Sequence, residues 1–284
     1  MKHFVFRLKD NIWKMYVLKA IMWFMVAMPI IVLFFQEHGL TLTEIMILQA
    51  IYSISVALFE IPSGYMADIF GRKKTIILST IFCFSGYLIF SNFSDFYLFA
   101  IAELLIGFGG SLMSGSDSAL IYDTLLEENN KKAYSKIEGR NYAIGNFSEA
   151  TAGILGGILA TSSLFLPIYV QTIILFFSIP MAFLLVEPKI HTENPMERTL
   201  TAILDVFNYT LLRNKKLRWL IIFSASMGVA TLSIAWFSQP LFKNLEIPII
   251  YFGILWAILN ASAGITSFNS HIINRKINLK KLMF

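Results

Sequence analysis

Four carboxylates stand inside long apolar stretches of this chain: Glu60, Glu103, Asp117 and Glu149. An ionised carboxylate in hydrocarbon is expensive, so an acid kept there faces a cavity or a partner. Its useful chemistry is reversible: it takes up and releases a proton, or it holds a cation by charge. At 1.5 Å of rise per helical residue, Glu60, Asp117 and Glu149 lie about 12, 9 and 11 Å from the loops on one side. Glu103 lies nearer the other side. The competing reading is a packing role, with each carboxyl bonding a neighbouring helix. Lys19 is the one basic residue near the interior of an apolar stretch, and its stem is long enough to bring the ammonium to the surface.

No other chemistry is encoded. His3, His38, His191 and His271 are scattered, with no Ser-His-Asp order, metal-ligand spacing or phosphate-cradling glycine loop. These features exclude an enzyme and call for no cofactor or metal. The single Cys83 rules out an intrachain disulfide.

The elements that must position the acids are membrane spans. The chain is 56% hydrophobic and only 14% charged, with a mean hydropathy of +0.66. A soluble domain is nearer a quarter charged. A span needs about 20 mostly apolar residues. Eight runs qualify: 15–36, 45–67, 75–93, 96–122, 142–161, 164–186, 217–242 and 247–270. The first is no cleaved signal, since it is longer than an h-region and no small-x-small site follows it. The fold class is therefore all-α, a multi-pass helical membrane protein.

Charge sets the orientation. Of 23 Lys and Arg, only Lys243 falls outside the N-terminal segment, the alternate loops on its side and the C-terminal tail. Positive loops stay in the cytoplasm, so both termini are predicted to be cytoplasmic. The net charge of +5 is thus topology, and no nucleic-acid partner is expected. The longest cytoplasmic loop separates six runs from two. Within it Leu200, Ile203, Leu204, Phe207 and Leu211 recur at helical spacing and predict an amphipathic surface helix. The predicted domains are a six-helix bundle (1–188), a linker (189–216) and two further helices (217–284).

Between the second and third runs the chain reads Gly64-Tyr-Met-Ala-Asp68-Ile-Phe-Gly71-Arg72-Lys73-Lys74. This resembles the signature loop of the major facilitator superfamily of secondary transporters, Gly-x-x-x-Asp-Arg-x-Gly-Arg-Arg/Lys-Arg/Lys. Ile69 stands where the family usually has Arg. The resemblance implies two six-helix halves joined by a cytoplasmic linker, and alternating access. It covers essentially this whole chain, whereas the chain covers about two thirds of such a fold. The second half is accordingly expected to be truncated after its second helix.

The resemblance also implies roles. Asp68, Arg72 and Asp123 would form a charge cluster holding the inner face closed, with Gly64 and Gly71 shaping the loop. The fourth span would line the central cavity. That makes Asp117 the first candidate for proton or substrate contact, since Ser114, Gly115, Ser116 and Ser118 leave room and polarity around it. Glu60, Glu149 and Glu103 are the remaining candidates. Glu103 occupies a position where many proton-coupled members carry Arg, so coupling through that Arg does not carry over. Gly153-Ile-Leu-Gly-Gly157 resembles a fifth-span motif of drug:proton antiporters, with Ile154 in place of Pro. Met22, Trp23, Met25, Met28, Met227 and Trp236 are candidates for a greasy pocket.

The function this implies is proton-coupled export of hydrophobic or cationic small molecules across a bacterial inner membrane. Its partners would be that substrate, protons and the bilayer. An uptake carrier for a nutrient or organic ion is the first alternative. A non-transporting remnant or membrane interaction protein is the second.

Overall fold

The computed structural model describes residues 7–189 and 209–269, and every regular element among them is helical. The helices are α1 (Asn11–Met22), α2 (Ile31–Glu37), α3 (Leu42–Phe70), α4 (Arg72–Asn92), α5 (Phe96–Glu127), α6 (Tyr134–Ala160), α7 (Leu166–Phe183), α8 (Lys215–Asn244) and α9 (Ile249–Phe268). Six of them, α3, α4, α5, α7, α8 and α9, are long and apolar enough to cross a membrane. The fifth predicted span begins within α6, eight residues after the helix starts, and the 27 residues of α6 carry Asn146, Ser148 and Glu149 and are correspondingly less apolar.

The first predicted span departs from a continuous helix. It is α1 and α2, separated by an irregular turn at Trp23–Ala27 and a short 3-10 turn, Met28–Ile30, that contains Pro29. Backbone groups freed inside a membrane need internal partners. The Val26 N–H has one: it donates to the buried Gln171 Oε1 of α7 at 2.6 Å. The Val26 carbonyl lies where a Cβ on Gly156 of α6 would stand. Most of the predicted helix through Leu200–Leu211 lies outside the described residues, which include only a short π-helical turn at Tyr209–Arg213.

Caps explain where the helices start. Thr41 and Glu44 form a reciprocal capping box on α3, at 3.3 and 2.8 Å. Asp95 Oδ1 accepts from the N–H groups of Tyr97 and Leu98 to begin α5. Asn214 begins α8 in the same way, accepting from Lys216 and Leu217.

Residues 7–189 and α9 belong to one compact unit, and α8 belongs to another. Inside the first unit, α4 packs on α5 and α7, α3 on α5, α1 on α6 and α7, and α9 on α6. One end of this unit is filled by Met15, Leu18, Ile76, Leu120, Ile121, Leu125 and Leu185. The other holds an aromatic cluster of Phe34, Phe35, Phe90 and Phe99, whose rings approach at 5.4–6.0 Å. The α6–α9 contact is backbone on backbone. Gly153 and Gly157 face Gly253, and a Cβ on Gly253 would meet the Gly153 carbonyl. The small residues of the fifth span thus have a packing role in this structure.

Candidate functional site

The loop between α3 and α4 is built around charge. Asp68 is four residues before Arg72, and the two are ion-paired at 2.5 Å across the helix junction. The same guanidinium reaches Asp123 of α5, Nε to Oδ2, at 3.5 Å. The predicted trio therefore meets, with Arg72 between the two carboxylates. All three side chains are partly buried, which limits screening by solvent.

A fourth residue, absent from the sequence reading, completes this junction. Glu187, just beyond α7, accepts from the backbone N–H groups of Arg72 and Lys73, each at 2.7 Å. These are orphan donors at the start of α4, where the helix dipole also favours an anion. Gly71 has φ +96°, and a Cβ there would stand 2.8 Å from the Glu187 carboxyl carbon. Glycine is required at 71 on both counts. Gly64 differs, because the space beside it is open.

The four intramembrane acids each meet a different partner. Glu60 of α3 is exposed and accepts from the Ser114 hydroxyl of α5 at 3.0 Å. Glu103 of α5 is buried and accepts from Gln49 Nε2 of α3 at 3.0 Å. Glu149 of α6 is buried and accepts from the Trp256 indole of α9 at 3.0 Å. Among the described residues, no hydrogen bond or ion pair links any two of these acids.

Asp117, alone of the four acids among the described residues, has a cationic partner. Its Oδ2 lies 3.1 Å from Lys19 Nζ, and both side chains are 7% exposed. Lys19 therefore does not reach the surface as expected. α1 carries it inward to α5, where the ammonium also sits 4.6 Å from the Trp23 ring and 4.8 Å from the Tyr142 ring. Those distances are within cation–π range. From Asp117 the polar chain continues. Oδ1 accepts from the Ser118 N–H at 2.7 Å, and the Ser118 hydroxyl donates to Glu138 Oε1 at 2.6 Å. Glu138 lies four residues before the predicted fifth span, and burial pushes its carboxyl above the usual range while the Ser118 bond pulls it back. Glu138 Oε2 and both amide atoms of Asn141 are buried with no hydrogen-bond partner among the described residues.

Sequence reasoning missed Lys19 as a partner, along with Glu138, Glu187, Gln49 and Trp256. The one available signal was the opposite signs of Lys19 and Asp117 in neighbouring apolar runs.

Fold and site together define a polytopic helical membrane protein with a charged junction between α3 and α4 and a buried ion pair. The chain belongs to the major facilitator superfamily, whose family model matches residues 12–284. It is 33% identical over 103 residues to an uncharacterized transporter of Buchnera aphidicola subsp. Acyrthosiphon pisum (strain APS), covering 36% of this chain and 26% of that protein. It is 31% identical over 137 residues to an uncharacterized transporter of Buchnera aphidicola subsp. Schizaphis graminum (strain Sg), covering 48% of this chain and 34% of that protein. The chain thus matches between a quarter and about a third of the length of these curated relatives. Family and relatives point to transport rather than catalysis.

Proposed function

We propose that this chain serves secondary active transport by alternating access, exporting hydrophobic cationic small molecules in exchange for protons across a bacterial inner membrane. One observation carries the reading: three buried carboxylates on two adjacent helices, Glu103 and Asp117 of α5 and Glu149 of α6, of which only Asp117 is ion-paired among the described residues. Buried acids of this kind mark ion and substrate pathways. Asp117 is the substrate contact, and Glu103 and Glu149 are the proton-exchanging candidates. The Asp68–Arg72–Asp123 junction is the inner gate, because an Arg shared by two carboxylates can be held or released as helices move.

The test is flux. The purified chain in liposomes, given an inward proton gradient, should move the lipophilic cation tetraphenylphosphonium against the gradient, and collapse of the gradient should stop it. Flux no greater than in protein-free liposomes would reject the reading. Buried Lys19 favours one second reading, a carrier for an organic anion. Benzoate moving in place of the cation in the same assay would support it.

A further inference from the structure

The Lys19 ammonium occupies a cation site. On one side is the Asp117 carboxylate at 3.1 Å. On the others are the Trp23 and Tyr142 rings, set edge to face with planes at 84° and centroids 6.2 Å apart. An acid beside two aromatic faces is a general receptor for organic ammonium ions. The fold makes specific room for it. Gly145 of α6 lies against the Trp23 indole, and a Cβ there would stand 2.9 Å from the ring. The break after α1 places Trp23 outside helical geometry, at the end of the segment that carries Lys19.

A second observation points to a ligand. Asn141 is fully buried, yet neither its Nδ2 nor its Oδ1 has a hydrogen-bond partner among the described residues. Orphaned buried amides are costly and call for an occupant. Glu138, Asn141 and Gly145 follow one another at i, i+3 and i+7, so they share one face of α6. The same face therefore carries a carboxylate oxygen without a partner, an unsatisfied amide and the glycine that admits Trp23.

We propose that Asp117, Trp23 and Tyr142 form a binding site for a small primary alkylammonium ion, and that Lys19 is its tethered competitor, holding the site until a substrate ammonium displaces it. This rests on the cation reading above and deepens it. Displacement frees the Lys19 stem to turn toward the inner surface, and the incoming ammonium keeps Asp117 paired. A tethered competitor acts at an effective concentration of order millimolar or more, so its removal should tighten apparent affinity by at least about tenfold.

The probe is n-butylammonium, which has the length of the lysine side chain, with 1-butanol as the neutral control. The readout is the thermal unfolding midpoint of the full chain in detergent. Lys19→Ala should unfold at a lower temperature than the parent. Butylammonium should restore its midpoint at a concentration at least about tenfold below any that shifts the parent, and butanol should not. Lys19→Ala combined with Asp117→Asn should show no such rescue. If Lys19→Ala does not accumulate, Lys19→Met is expressed with each additive, and accumulation only with butylammonium is the same result. The inference is overturned if butylammonium stabilises Lys19→Ala no more than the parent, if Asp117→Asn leaves rescue unchanged, or if Lys19→Met fails with both additives. Binding is read here at equilibrium without flux. Lost rescue with intact cation flux therefore removes the tethered competitor alone, and intact rescue without flux removes the transport reading alone.

Discussion

Glu187 seals the first turn of α4: its two carboxylate oxygens accept from the Arg72 and Lys73 N–H groups at 2.7 Å each. The contact joins the end of the sixth predicted span to the start of the third, and it occupies the space that Gly71 leaves open.

Glu187→Ala should therefore destabilise the fold by about 1 kcal/mol, the usual worth of a cap. Gly71→Ala should cost more, because it meets both a positive φ and the Glu187 carboxyl. Denaturation in mild detergent measures both. Equal stability of Gly71→Ala and the parent would contradict the geometry.

Breaking the Lys19–Asp117 pair from one side should cost roughly 3–5 kcal/mol, because a buried charge is left without its partner. Lys19→Met with Asp117→Leu should cost much less than the sum of the two single changes. A double-mutant cycle reads the difference, and additivity within about 0.5 kcal/mol would mean that the two groups do not interact.

The eight apolar runs, the charge asymmetry and the signature loop were legible because each is a local pattern. The meeting of Asp68, Arg72 and Asp123 was legible through the family likeness. The partners of the acids were not. Lys19 reaches Asp117 across 98 residues, and Trp256 reaches Glu149 across 107. Such pairings depend on helix rotation, which hydropathy does not specify. The first span was read as one continuous run, but it breaks from Trp23 onward, and within the break Gln171 replaces the lost helical partner of Val26. Glu187 escaped notice because its partners are backbone N–H groups, which a sequence does not display.

Asp68→Asn should leave folding nearly unchanged and alter cycling. The pair it weakens is partly solvated and contributes about 0–1 kcal/mol, whereas the loss of one carboxylate leaves Arg72 to Asp123. In a flux assay the variant should insert at parental levels and transport poorly. Parental transport rates would remove Asp68 from the gate.

Glu138 gives a pH dependence with a defined sign. Burial raises its carboxyl above the ordinary glutamate range, so the folded state favours the protonated form. That stabilisation is fully present below the unfolded pKa and is lost as pH rises through the folded one. The facing titratable groups are Lys19 and Asp117, with Tyr134 and Tyr16 on neighbouring surfaces. As pH rises through that window, the parent should lose stability relative to Glu138→Gln. A constant difference between the two melting curves as pH rises from the ordinary glutamate range would contradict it.

Substrate-induced proton movement tests the central claim most directly. Liposomes containing the protein and an internal pH dye are brought to equilibrium, and tetraphenylphosphonium is then added outside. Exchange of cation for proton predicts a change in internal pH that depends on substrate concentration and is absent with Asp117→Asn. An internal pH that stays constant while the cation crosses, or a change equal in Asp117→Asn, would contradict the account.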